Sequence, residues 1–190
     1  HTGRSLFQIH EEGQSIAPDH KMLGELLQEA GYETFGTGKW HNGVESYARS
    51  FTSGDNIFFG GMHDHWNVPV HQFDPTGRYE SRLRMVDNFF FSNRTQSYIA
   101  DHAHTGEHST DMLASGVIDF LDQDLDKPFF CYLALLAPHD PRTMPDRFRE
   151  LYDPSEMELP PNFMAMHPIE YGNTDCRDEL LAPYPRTPDD

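Results

Sequence analysis

Apolar residues recur at helical spacing in two stretches. Over residues 19–30 they are Met22, Leu23, Leu26, Leu27 and Ala30, a single stripe at the 3.6-residue period. Pro18-Asp19 offers a cap there and Gly31 a stop. Over residues 109–122 they are Met112, Leu113, Val117, Phe120 and Leu121, with Ser109 as the expected cap and Asp111 suited to the positive end of the helix dipole. Each helix is followed by a β-prone run. Tyr32-Glu33-Thr34-Phe35 delivers the chain to a glycine-rich loop, Gly36-Thr37-Gly38-Lys39, and residues 129–136 are apolar on both faces, as a central, covered strand requires. Two helix-strand units predict an α/β fold with a mixed, mostly parallel sheet flanked by helices. Residues 42–108 carry few periodic signals and many aromatics, Gly, Asp and His. After Pro138 the chain is again loop-rich, apart from a short helix near residues 146–152. Loops this long are expected to build a binding surface.

Composition narrows the picture in places. A chain of 190 residues fits one domain, and its 14 Gly and 14 Pro agree with many turns. The net charge of −17 argues against a nucleic-acid partner, which needs a basic footprint. It says less about a small anion, because a compact cationic pocket can sit inside an acidic shell. The longest apolar stretch, residues 128–138, is shorter than the roughly 18 residues that a membrane span requires. The chain opens His1-Thr2-Gly3-Arg4 with no Met and no basic leader, so its start is expected to come from processing or truncation. Cys131 and Cys176 form no CxxC or metal-spaced set, and Cys131 is expected to be an inert core residue.

The polar chemistry gathers where the two predicted strands end. The first is followed by Gly36-Thr37-Gly38-Lys39-Trp40-His41-Asn42-Gly43, the second by Ala137-Pro138-His139-Asp140-Pro141-Arg142. Ligands of open α/β sheets bind beyond the carboxyl ends of strands, so both clusters are expected to face one crevice. Lys39 brings a fixed positive charge, and His41 and His139 can donate a hydrogen bond or a proton. That set suits a tetrahedral oxyanion with a poor leaving group. Spacing alone leaves open a solvated Lys39 and a capping His41, since Gly-Lys lacks the P-loop pattern.

A longer match sharpens this reading. Gly31-Tyr32-Glu33-Thr34-Phe35-Gly36-Thr37-Gly38-Lys39-Trp40-His41 resembles the second signature of the sulfatases. Residues 16–27 resemble the helix that precedes it, and residues 127–142 the family's strand and histidine loop. Residues 152–163 and 177–183 resemble the bacterial carbohydrate-sulfatase branch. The resemblance implies an alkaline-phosphatase-like α/β fold and a sulfuric ester hydrolase acting on a sulfated polysaccharide, periplasmic or secreted. It implies that Lys39 holds the sulfate, that His41 hydrogen-bonds the nucleophile, and that His139 protonates the leaving oxygen. The segment 58–65 falls where the family places a further polar contact, which leaves His63, Asp64 and His65 as alternatives.

Thr2-Gly3-Arg4 is similar only to the tail of the family's first signature. The nucleophile position, a Cys or Ser converted to formylglycine, would precede Thr2 by about nine residues. The family's paired N-terminal aspartates and later Asp-Asn pair, which hold Ca2+, have no counterpart here. Residues 1–190 are therefore expected to be a partial catalytic domain, inactive alone, with Ca2+ and formylglycine belonging to the intact enzyme and no metal ligands in this chain.

Other residues admit two readings. Trp66 can stack on a sugar and, with His65 and His71, form a pocket wall, or it can be ordinary packing. Asp140 and Arg142 can shape a leaving-group subsite or simply make a turn. His102, His104 and His108 suggest zinc but lack a Cys partner, so surface or pocket-edge roles are expected. Asn93-Arg94-Thr95 is a glycosylation sequon in a secretory host. Two rival functions stay open: a phosphate or phosphonate ester hydrolase of the same superfamily, and a non-catalytic carbohydrate-binding remnant.

Overall fold

The computed structural model describes residues 1–3, 16–86, 93–166, 168, 185 and 187–188. Arg4, Cys176 and the stretch 177–183 lie outside the described residues, as does most of the sequence after residue 168. Two compact units result, His1–Thr143 and Met144–Asp190.

The first unit is built on a three-stranded parallel sheet in the order β2-β1-β7, where β1 is Glu33–Lys39, β2 is Ser53–Phe58 and β7 is Phe129–Ala134. Helices α1 (Leu23–Glu29) and α2 (Val44–Ser50) pack together, and α3 (Ser109–Leu121) packs on the sheet. Alternation along β1 aims neighbouring residues at opposite layers. Phe35 stacks on Phe120 of α3 at 4.4 Å, whereas a side chain at Gly36 would meet Tyr47 and Phe51 beside α2. Helices thus cover both faces of the sheet. Two antiparallel pairs complete the unit: β3 (Asn67–Val70) with β6 (His102–Thr105), and β4 (Arg82–Val86) with β5 (Thr95–Ile99).

Two cores lock these layers. Phe58, Val68, Val70, Met112, Leu113 and Leu136 form one; Trp40, Tyr47, Phe51, Ile57 and Tyr79 form the other. Tyr47 is enclosed, and its hydroxyl donates to the Gly36 carbonyl at 2.8 Å, fixing α2 to the central strand. The enclosure and the nearby Tyr79 and Asp55 push its phenol well above the ordinary value.

Several expectations shift for identifiable reasons. The first helix starts at Leu23 rather than near Asp19, because the Arg49 guanidinium takes the carbonyls of Ala17 and His20. The Met22 N–H donates to Glu25, so the helix opens on a partial capping box. Arg49 also holds Glu25 at 2.8 Å, which lowers the Glu25 pKa. The cap of α3 is His108, not Ser109: the Thr110 N–H donates to His108 Nδ1. Gly36-Thr37-Gly38 is strand rather than loop, with a register shift between Thr37 and Gly38. Gly38 has φ +88, and any Cβ there would collide with the Ala134 carbonyl oxygen.

The segment 42–108 holds α2 and β2–β6, whose short strands bury too little on one face to print a clear alternation. β7 is not central among the described residues. It pairs only with β1, and Phe129 and Leu133 are exposed. Cys131 is half-buried there, with its thiol pKa raised by burial. The second unit contains α4 (Asp146–Arg149), shorter than expected, and a 3-10 turn (Pro154–Glu156) capped by Asp153.

Candidate active site

All three sheet strands run parallel, so their carboxyl ends share one edge. Lys39 closes β1 opposite Phe58, and Gly38 lies opposite Ala134 of β7. The segments 40–43, 59–66 and 135–142 therefore depart from the same edge, where open α/β sheets bind ligands. The His41 ring lies over Gly61, since a Cβ on Gly61 would meet its Cε1 at 3.5 Å. Partial burial and the neighbouring Lys39 charge hold the His41 pKa below the ordinary histidine value. At neutral pH His41 thus carries a lone pair beside a cation.

His139 sits on a clamped backbone. Its N–H donates to the Leu136 carbonyl at 3.0 Å, and its own carbonyl meets His65 Nε2 at 3.0 Å. The Asp140 N–H donates to His139 Nδ1 at 2.7 Å, so the ring presents Nε2–H as its donor. Asp140 is nearly buried and pairs with the exposed Arg142 at 2.9 Å, which supports the turn and a rim position at once. The peptide bonds before Pro138 and Pro141 are cis.

The remaining rim residues differ in access. Asp64 is exposed, and its carboxylate accepts the Trp66 N–H at 3.1 Å. Trp66 is 37 % exposed and meets the His108 ring edge-on at 5.4 Å. His63 is half-buried against Phe58 and Tyr98. His65, in contrast, is 1 % exposed with both ring nitrogens bonded inside the protein, to Ser109 Oγ and to the His139 carbonyl. It supports the rim from behind and presents no face to a ligand. His71 is also buried, with Nδ1 on the Gln72 carbonyl at 2.6 Å, beside Asp101 and packed against Tyr79. It too is no pocket wall, because burial leaves no surface to line one.

Sequence reasoning missed Ser109 as a partner of His65, since 44 residues separate them and no short motif links them. The three histidines weighed for zinc diverge: His102 pairs with Asp101, His104 with Glu107, and His108 caps α3. Among the described residues no three His, Cys, Asp or Glu side chains converge on a metal position.

Lys39, His41 and His139 thus stand at or just beyond the carboxyl edge of one parallel sheet in an α/β protein. The sulfatase family model matches residues 2–182, and the chain belongs to the sulfatase family. It is 29 % identical over 150 residues to the N-acetylgalactosamine-6-sulfatase of Canis lupus familiaris, covering 73 % of this chain and 26 % of that protein. To the arylsulfatase of Klebsiella aerogenes it is 27 % identical over 160 residues, covering 80 % and 32 %. Among solved structures, Ps i-CgsB in complex with k-i-k-neocarrahexaose superposes with TM-score 0.53 at 23 % identity, over 79 % of this chain and 33 % of that one. This likeness shows the alkaline-phosphatase-like fold. The chain spans about a quarter to a third of the length of these relatives.

Proposed function

We propose that this chain is part of a sulfuric ester hydrolase that removes sulfate from a sulfated polysaccharide or glycosaminoglycan. The observation that carries the reading is the sequence Gly38-Lys39-Trp40-His41 closing a central parallel strand beside the His139 turn, in a chain of the sulfatase family. Relatives named for N-acetylgalactosamine-6-sulfate chemistry and a similarly folded protein solved with a neocarrahexaose support a sugar substrate.

In this reading Lys39 neutralises non-bridging sulfate oxygens, an electrostatic role that strengthens away from bulk water. His139 offers Nε2–H to the bridging oxygen as the S–O bond breaks. Complete proton transfer requires the Asp140 N–H to release Nδ1, so that the ring can first be charged. His41, its pKa lowered by partial burial and by the nearby Lys39, accepts a proton or hydrogen bond near the attacked sulfur. Asp64, Trp66, Asp140 and Arg142 line the sugar side, with His63 between rim and interior. In the intact protein we assign a formylglycine nucleophile and Ca2+ to segments other than the described residues. The protein is expected to work outside the cytoplasm. The described residues include no helix long and apolar enough to cross a membrane.

The full-length protein, incubated with sulfated glycans and with phosphate monoesters, is expected to release inorganic sulfate at least 100-fold faster than phosphate. Faster phosphate release would establish the phosphatase rival. Release of neither, with glycan still bound, would establish the non-catalytic one.

A further inference from the structure

His65 and His108 lie behind the rim as a parallel stack, with ring centroids 5.0 Å apart and planes tilted by 8°. Both are buried. The hydrogen bonds of each ring constrain its protons. His65 Nε2 faces the His139 carbonyl, which can only accept, so Nε2 carries a proton, and Nδ1 hydrogen-bonds with the Ser109 hydroxyl at 2.8 Å. His108 Nδ1 accepts the Thr110 N–H at 3.3 Å, and its Nε2–H donates to the Thr143 carbonyl at 3.1 Å. Four ring nitrogens thus meet four partners. The two carbonyls they hold, those of His139 and Thr143, bracket the whole His139–Thr143 turn.

The far side of this stack is equally fixed. The Ser109 N–H donates to the His65 carbonyl at 2.8 Å, so His65 and the first residue of α3 are joined by main chain and side chain. Helix α3 is anchored in the core through Met112 and Leu113. A rigid element therefore holds two imidazoles, and the imidazoles hold a turn that has no regular structure of its own.

We infer that His65 and His108 are positioning residues: they act through the main chain of residues 139–143 to set where the His139 ring stands, without touching substrate. This rests on the reading of His139 as donor to the leaving oxygen. Such a donor matters when the leaving group is a poor one, because general acid assistance contributes about 10²–10⁴-fold there. A small displacement of the donor should remove part of that factor and spare substrates that need no assistance.

The test uses the full-length enzyme with a sulfated sugar and with 4-nitrophenyl sulfate. His65→Ala is expected to lower kcat on the sugar about 10- to 100-fold and by at least ten times more than on the aryl ester. His65→Gln, whose amide can again donate to the His139 carbonyl, is expected to recover most of the loss. His108→Asn keeps an acceptor for the Thr110 N–H and drops the Thr143 tether, so it should discriminate between the esters without losing the cap of α3. If His139→Ala discriminates but His65→Ala slows both esters equally, the inference is overturned. If His139→Ala does not discriminate, the donor role itself fails, and hydrogen exchange then decides the positioning claim. Faster exchange of the His139 and Asp140 amides in His65→Ala would sustain it, and unchanged exchange would overturn it.

Discussion

Trp40 is 2 % exposed, and its indole N–H donates to the Gly43 carbonyl and the Ser46 hydroxyl. It packs edge-on against Tyr47, Phe51 and Tyr132. Between Lys39 and His41, then, stands a residue whose work is structural. Trp40→Ala should cost about 3–5 kcal/mol of stability in the full-length protein, read by chemical denaturation, as large core truncations do. His41 responds to acid instead. Its folded pKa lies below the unfolded value of about 6.5. The stability that its neutral form contributes is therefore complete above that value and is lost as pH falls through the lower, folded one. His41→Asn should flatten stability against pH in that window; a profile identical to wild type would contradict the shift. The motif was legible residue by residue as chemistry, but nothing in it showed that Trp40 is the part held by the core.

At the scale of elements, the sequence exposed the long helix and the two β runs through their periodicity, and the structure keeps all of them. What it hid has a common cause. The start of α1 depends on Arg49, more than twenty residues downstream, and the cap of α3 depends on a histidine ring expected only at the surface or a pocket edge. Strand β2 buries only its last two residues, so no alternation marks it. The Arg49–Glu25 clamp gives a separate acid-sensitive link. Because the Glu25 pKa is lowered, chiefly by Arg49, its contribution is present above the ordinary carboxylate range and disappears as pH falls through the folded value. Glu25→Gln should reduce stability at pH 7 by about 1 kcal/mol or less, given its partial exposure, and by less at pH 3. Tyr47→Phe should cost about 1–3 kcal/mol, since it leaves the buried Gly36 carbonyl without its phenol donor.

For the molecule as a whole, apolar side chains stand exposed beside one strand and one helix of the first unit. Phe129, Leu133 and Leu135 are exposed on and after β7, and Leu121 and Ile118 on α3. Among the described residues β7 pairs on one side alone, and an open strand edge with apolar neighbours invites association. The 190-residue chain made alone is expected to aggregate or to bind a hydrophobic dye without a cooperative thermal transition. A sharp transition with dispersed amide NMR signals would contradict that. Fold class and the positions of Lys39, His41 and His139 were readable because these residues end or follow the two β runs, Lys39 and His41 within one dense motif. The interior roles of His65 and His71 were not, because a histidine that faces a ligand and one that faces a carbonyl have the same letter in the sequence.

The most direct test compares sulfate release from a sulfated oligosaccharide by the full-length protein, wild type against Lys39→Ala, with Tm measured on both. Loss of the cation that closes β1 is predicted to lower kcat/KM by about 100-fold or more, because a preorganised charge on the reacting group contributes on the order of 3 kcal/mol, while Tm stays within about 2 °C. Retained sulfate release by a folded Lys39→Ala protein would contradict the assignment of this edge as the sulfate site.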